Sequence, residues 1–197
     1  MDYKTWIGII TVGIAFFSYI PYFRDTFAGK TKPHVFSWLI WAVLTGIGFF
    51  GQIADNAGPG AWVTGFTTAV LTIFVILFVL GKRGEKNIML VDWLSLIGAG
   101  IALLFWYLTK GPLLSVILIT LIDAFGFFPT FRKSFNKPNE ETAITFFLSG
   151  FKFVLAFFAL NKVSLVTFLY PASLIFMNWL FVAMLIIRKH QLYGSKG

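Results

Sequence analysis

The stretch Tyr19-Ile20-Pro21-Tyr22-Phe23-Arg24-Asp25-Thr26-Phe27 returns further along the chain as Phe127-Phe128-Pro129-Thr130-Phe131-Arg132-Lys133-Ser134-Phe135. Proline, phenylalanine, arginine and phenylalanine keep one register, P-x-F-R-x-x-F. Each copy closes an apolar run and is followed by a basic turn with a second proline, Lys32-Pro33 and Lys137-Pro138, and then by another apolar run. Self-similarity at one offset marks an internal repeat. A weaker echo extends it: Val63-Thr64 and Val166-Thr167 each open the third run after the motif.

Outward from these two points the chain divides into seven apolar runs, each close to the roughly 20 residues needed to cross a hydrocarbon core of about 30 Å. They are Trp6–Tyr22, Val35–Gln52, Ala61–Leu80, Val91–Leu108, Pro112–Phe128, Thr142–Leu160 and Leu165–Ile187. Every gap between them carries charge, proline or glycine. The expected fold is therefore an all-α membrane protein of seven transmembrane helices in a 3+1+3 plan. Residues 1–83 form the first three-helix repeat, 84–111 a linker helix and 112–197 the second repeat. One linker span leaves both triplets in the same orientation, so the repeat is parallel, about an axis along the membrane normal.

Composition agrees. The chain has 197 residues, 58% of them hydrophobic and 12% charged, with 25 Phe. A soluble domain carries about a quarter charged residues, and so many phenylalanines cannot all be hidden inside a domain of this length. Lipid is the expected solvent. The basic residues then fall into an alternating order. Arg24, Lys30 and Lys32, then Lys82, Arg83 and Lys86, then Arg132, Lys133 and Lys137, then Arg188, Lys189 and Lys196 occupy alternate ends, while the opposite ends hold only Lys4, Lys110 and Lys162. The positive-inside rule places the N-terminus outside and the C-terminus in the cytoplasm, and the expected location is a bacterial inner (plasma) membrane. This topology explains the formal net charge of +8 without a nucleic-acid partner. The first run continues too far after its single preceding lysine for a cleavable signal peptide to be expected.

The plan with an outside N-terminus, a proline near the cytoplasmic end of spans 1 and 5 and a basic loop after it resembles the SWEET sugar transporters and the wider PQ-loop clan, which includes lysosomal amino-acid exporters and the receptor for ER-retention signals. Pro21 to Trp38, with Gly29-Lys30-Thr31 and Val35-Phe36-Ser37-Trp38, is similar to the clan's proline, basic turn and serine at the start of span 2. Tyr22 and Thr130 stand where the clan has glutamine. Bacterial nicotinamide-riboside transporters share a similar three-one-three plan. The resemblance implies a carrier with its solute held near the midplane between the triplets and a substrate-binding asparagine in the middle of span 7, where Asn178 falls. Pro21 and Pro129 would act as hinges, since each removes a helix hydrogen bond, or would simply end their helices. Pro171 is a third candidate hinge, beside Asn178.

Two charges fall well inside predicted spans, Asp123 in span 5 and Lys152 in span 6. Such charges cost roughly 3 kcal/mol each on insertion scales and default to function. As antiparallel neighbours at mid-depth they could form an ion pair, either holding spans 5 and 6 together or serving a proton or solute. Asn178 offers donors and acceptors to hydroxyls, or an interhelical hydrogen bond. Trp38 and Trp41 open span 2 and could stack on a sugar face or a flat heterocycle, or anchor at the interface as Trp6, Trp62, Trp93 and Trp106 are expected to do. Gly46, Gly48 and Gly51 in span 2 suit close helix approach. The candidate substrate-binding set is thus Trp38, Trp41, Asp123, Lys152 and Asn178.

Several classes are excluded or disfavoured. The absence of cysteine rules out disulfides, thiolate metal sites and cysteine nucleophiles. There is no Walker loop, no histidine within a span to build a triad, and no lysine in span 7 for a retinal Schiff base. His34 and His190 are too few and too far apart in sequence to suggest a metal site. No enzyme, cofactor or metal is expected. The expected function is a facilitator or proton-coupled carrier of a small polar solute working by alternating access, with a sugar as the solute that the resemblance favours. A vitamin or nucleoside carrier and a non-transporting receptor or subunit are the alternatives, and the oligomeric state is open.

Overall fold

The computed structural model describes residues 2–81, 84–85, 88–109 and 112–193. The expectations placed on Lys82, Arg83, Lys86, Lys110 and Lys196, and on the side chain of Trp106, lie outside the described residues. Seven long helices follow one another: α1 (Tyr3–Phe27), α2 (Val35–Ala54), α3 (Trp62–Gly81), α4 (Leu90–Thr109), α5 (Pro112–Asn136), α6 (Ala143–Phe158) and α7 (Leu165–Tyr193), with 3₁₀ turns at Gly58–Ala61 and Pro138–Glu140 and no strand among the described residues. Among the described residues, four segments are long and apolar enough to cross a membrane: α1, α2, α3 with its preceding turn, and α7. α6 is apolar but shorter.

Local chemistry sets the ends. The Asp2 carboxylate caps α1 by accepting from the Thr5 N–H at 3.0 Å, and Pro112 opens α5, where a missing N–H costs nothing. After α1, Gly29 turns left-handed (φ 70°), and the Lys30 and Thr31 N–H groups fold back onto the Asp25 carbonyl at 2.8 and 3.1 Å. Glycine adopts that conformation without a Cβ penalty.

All three candidate hinge prolines lie inside helices: Pro21 in α1, Pro129 in α5 and Pro171 in α7. None of them ends its helix. Beyond Pro21 the helix is held by packing, with Tyr22 fully buried and its ring 4.6 Å from Trp38. Beyond Pro129 the Thr130 hydroxyl donates to Ser37 Oγ at 2.9 Å. α6 stops two residues before the expected end of span 6. There the backbone leaves the helix to pair with the loop after α2: Gly60 N–H donates to Ala159 O at 3.1 Å and Asn161 N–H to Ala57 O at 2.9 Å. Gly58, at φ 66°, lies against the Asn161 side chain, leaving no room for a Cβ.

α3 packs on both α1 and α2, and α7 packs on both α5 and α6. Across the middle, α1 meets α6 and α2 meets α5, while α4 lies on α5. Among the described residues the α1 and α2 backbones do not come close, and the two helices meet through the rings of Tyr19, Tyr22 and Trp38, while α5 and α6 are likewise apart. Apolar side chains cover the outside of the bundle as well as filling its core, and several polar groups lie inside. Phe17, Phe50, Leu80, Leu90 and Phe176 are each well over half exposed, whereas Thr11, Ser18, Thr67, Asp123 and Lys152 are buried. An exterior this apolar is consistent with a membrane environment.

Candidate functional site

Where α1, α2, α3, α5, α6 and α7 converge, they line a narrow cavity of about 40 Å³. Four of the five predicted site residues line it: Trp38 and Trp41 from α2, Lys152 from α6 and Asn178 from α7. The register of each helix brings them inward. On α2, Trp38, Trp41 and Thr45 are spaced three and four apart on one face, and on α6 the same spacing gives Thr145, Ser149 and Lys152.

Lys152 is fully buried, and its Nζ donates to the Tyr19 hydroxyl at 3.1 Å and to Thr67 Oγ1 at 3.0 Å. It also lies 4.6 Å from the centroid of the Tyr19 ring, close enough for a cation–π contact. The lysine is thereby tied to α1 and α3. The ion pair with Asp123 is not formed. α5 and α6 are not neighbours, because α7 packs on both, and both Asp123 carboxylate oxygens are buried without a hydrogen-bond partner. Asp123 sits one turn from Ile119, which packs near Gly48, and from Phe127, whose ring is 4.6 Å from Trp41. It therefore faces α2, outside the residues that line the cavity.

Trp38 and Trp41 are buried, so neither is an interfacial anchor. Trp38 packs among Tyr22, Phe74 and Phe78. Trp6, Trp62 and Trp93 are exposed, as anchors would be. The Asn178 amide donates to the Leu174 carbonyl of its own helix at 2.7 Å, so the interhelical bond considered for it is not made. Sequence reasoning passed over Tyr19, Thr145 and Ser149. The signal that could have found Thr145 and Ser149 is their spacing from Lys152 on one helical face.

Polar layers close both ends. At one end the loop after α1 meets the loop after α5. Thr31 and Thr142 hydroxyls are 2.6 Å apart, Thr142 Oγ1 donates to Asp25 at 3.0 Å, and Lys32 pairs with Glu140 at 2.6 Å. Lys133 forms a buried ion pair with Glu141 and donates to the Lys32 carbonyl at 2.6 Å. Burial pushes the Glu141 carboxyl up from its ordinary value, while Lys133 pulls it the other way. Beside this layer, Arg132 holds Asp92 at 2.7 Å, and His34 Nε2 lies 3.3 Å from the same carboxylate. Burial holds the His34 imidazole below its ordinary value of 6.5, with Asp92 opposing. At the other end Lys4 donates to the Leu160 carbonyl at 2.8 Å, and Asp55 accepts from Lys162 and Ser164, each at 2.5 Å. The Lys162 ammonium beside it lowers the Asp55 carboxyl below its ordinary value.

No family model matches the chain, and no curated protein or solved structure is significantly similar to it. Among the described residues no group of three metal-ligating side chains is found.

Proposed function

We propose that the chain is a seven-span carrier of a small polar solute, working by alternating access between residues 1–83 and 112–197. One observation carries the reading: a cavity with a buried cation sits in the middle of the bundle, and each end of the bundle is tied by hydrogen bonds between the two triplets. Thr31 to Thr142 and Lys32 to Glu140 span them at one end, and Asp55 to Lys162 and Gly60 to Ala159 at the other.

The packing supports the repeat. Exchanging α1, α2 and α3 for α5, α6 and α7 reproduces the contact scheme, with the third helix in each triplet between the other two and α1–α6 answered by α5–α2. The basic residues at the Arg24 to Lys32 and Arg132 to Lys137 end support a cytoplasmic location for that end, with the N-terminus outside. The cavity is small in this form. A cavity of about 40 Å³ holds a few waters, whereas sites for small organic ligands usually run to about 300–1,000 Å³. Solute entry requires one layer to open, and Pro21, Pro129 and Pro171 are placed to let the helices bend.

The test uses the lack of native cysteine. Uptake of sugars, nucleosides, amino acids and organic acids into proteoliposomes is measured for the wild type and for Thr31→Cys/Thr142→Cys. Carrier activity predicts saturable uptake of one class, abolished by oxidising the pair and restored by reduction. Folded protein that takes up nothing, or uptake indifferent to the cross-link, counts against alternating access and favours a receptor or subunit.

A further inference from the structure

Lys152 is the only charged side chain that lines the cavity among the described residues, and no carboxylate pairs with it there. An ammonium has three N–H donors. Two are taken by the neutral hydroxyls of Tyr19 and Thr67. Hydroxyls solvate an ammonium but do not balance it, so without a counter-charge this buried amine is driven toward its neutral form, and a bound anion draws it to the charged one. The rings of Trp38, Trp41 and Tyr19 form one side of the wall. Most of the remaining surface is apolar, including Leu71, Phe127 and Phe146.

An amine with only neutral partners and an aromatic wall select a ligand that brings one negative charge and an apolar body. Resting on the carrier reading for its role in transport, we propose that the solute is a small monocarboxylate, with its carboxylate on Lys152 and its body against Trp38 and Trp41. A charge-assisted hydrogen bond to the ammonium supplies the missing counter-charge. A neutral sugar leaves Lys152 unbalanced, and the pyridinium of a nicotinamide nucleoside is repelled by it.

The test compares ligands of one shape and different charge. The full chain in lipid nanodiscs is titrated with benzoate, benzamide, propionate, glucose and nicotinamide riboside, and binding is read by calorimetry and by tryptophan fluorescence. The expected result is saturable benzoate or propionate binding, with benzamide weaker by at least about tenfold, a loss of similar size in Lys152→Gln and retention in Lys152→Arg. Equal binding of benzoate and benzamide, or glucose binding with no response to either carboxylate, overturns the proposal. If Lys152→Gln fails to fold, the wild-type comparison decides alone. Carboxylate binding without uptake in proteoliposomes sinks the carrier reading and leaves this site standing. Uptake of a neutral solute with no carboxylate binding does the reverse.

Discussion

Asp123 and His34 are buried titratable groups in contrasting surroundings, and each leads to a prediction. Both Asp123 carboxylate oxygens lack a partner, so replacing the residue removes no pair. A buried polar group without a partner carries a desolvation penalty of about 1–3 kcal/mol, which an apolar side chain of similar size does not. Asp123→Leu should therefore unfold in detergent at the wild-type temperature or above it. A marked fall would mean that a partner exists. If uptake by the wild type depends on pH, Asp123→Asn should remove that dependence. His34 works through linkage. Burial lowers its imidazole below 6.5, so the unfolded chain takes up a proton before the folded one does as pH falls. Stability contributed by the neutral histidine is intact above that value and is lost as pH drops below it. Between about pH 7.5 and about pH 5, the unfolding midpoint of the wild type should drop further than that of His34→Gln. Parallel curves would show that His34 does not contribute.

At the scale of helices, the closest inter-helix approach tested by a glycine is at Gly150 on α6. A Cβ there would sit 2.2 Å from the Trp179 Nε1 of α7, and that indole N–H donates to the Phe147 carbonyl at 3.1 Å. The ring is rigid, so Gly150→Ala should force α6 and α7 apart at a cost of about 1–3 kcal/mol. Thermal unfolding should show the loss, and Trp179→Phe in the same chain should recover part of it. The helices themselves were legible from apolar run length and from Pro, Gly and charge in the gaps, and Trp41, Lys152 and Asn178 were legible as polar or aromatic groups out of place in such runs. Helix ends were less legible. Pro21 and Pro129 read as possible stops because a proline removes one local hydrogen bond, but tertiary contacts of Tyr22 and Thr130 carry the helices onward. The Asp123–Lys152 pair failed for a similar reason. Adjacency in sequence suggested that spans 5 and 6 are neighbours, and nothing local reveals that α7 packs on both.

For the whole molecule, the tie at the Lys133 end rests on a buried ion pair, and breaking one partner of such a pair costs about 3–5 kcal/mol. Glu141→Gln should loosen that end. With Ser149→Cys as the reporter in the cavity wall, a membrane-impermeant thiol reagent applied from the side of the Glu141 end should react at least about tenfold faster in the Glu141→Gln background. An unchanged rate would mean that other contacts hold the layer shut. A further consequence lies in the short reach of α6. Its exposed apolar side chains run from Ile144 through Phe147 and Phe151 to Phe158, a band about 21 Å tall at 1.5 Å per residue. On α7 the corresponding band, Phe168 to Ile187, is about 29 Å tall. On the seven-span reading proposed above, the bilayer meets a girdle of uneven height, and lipids beside α6 thin or tilt to match it. Phosphatidylcholines of shorter acyl chain should raise its thermal stability and long-chain lipids should lower it, so that membrane thickness itself becomes a determinant of where this protein settles.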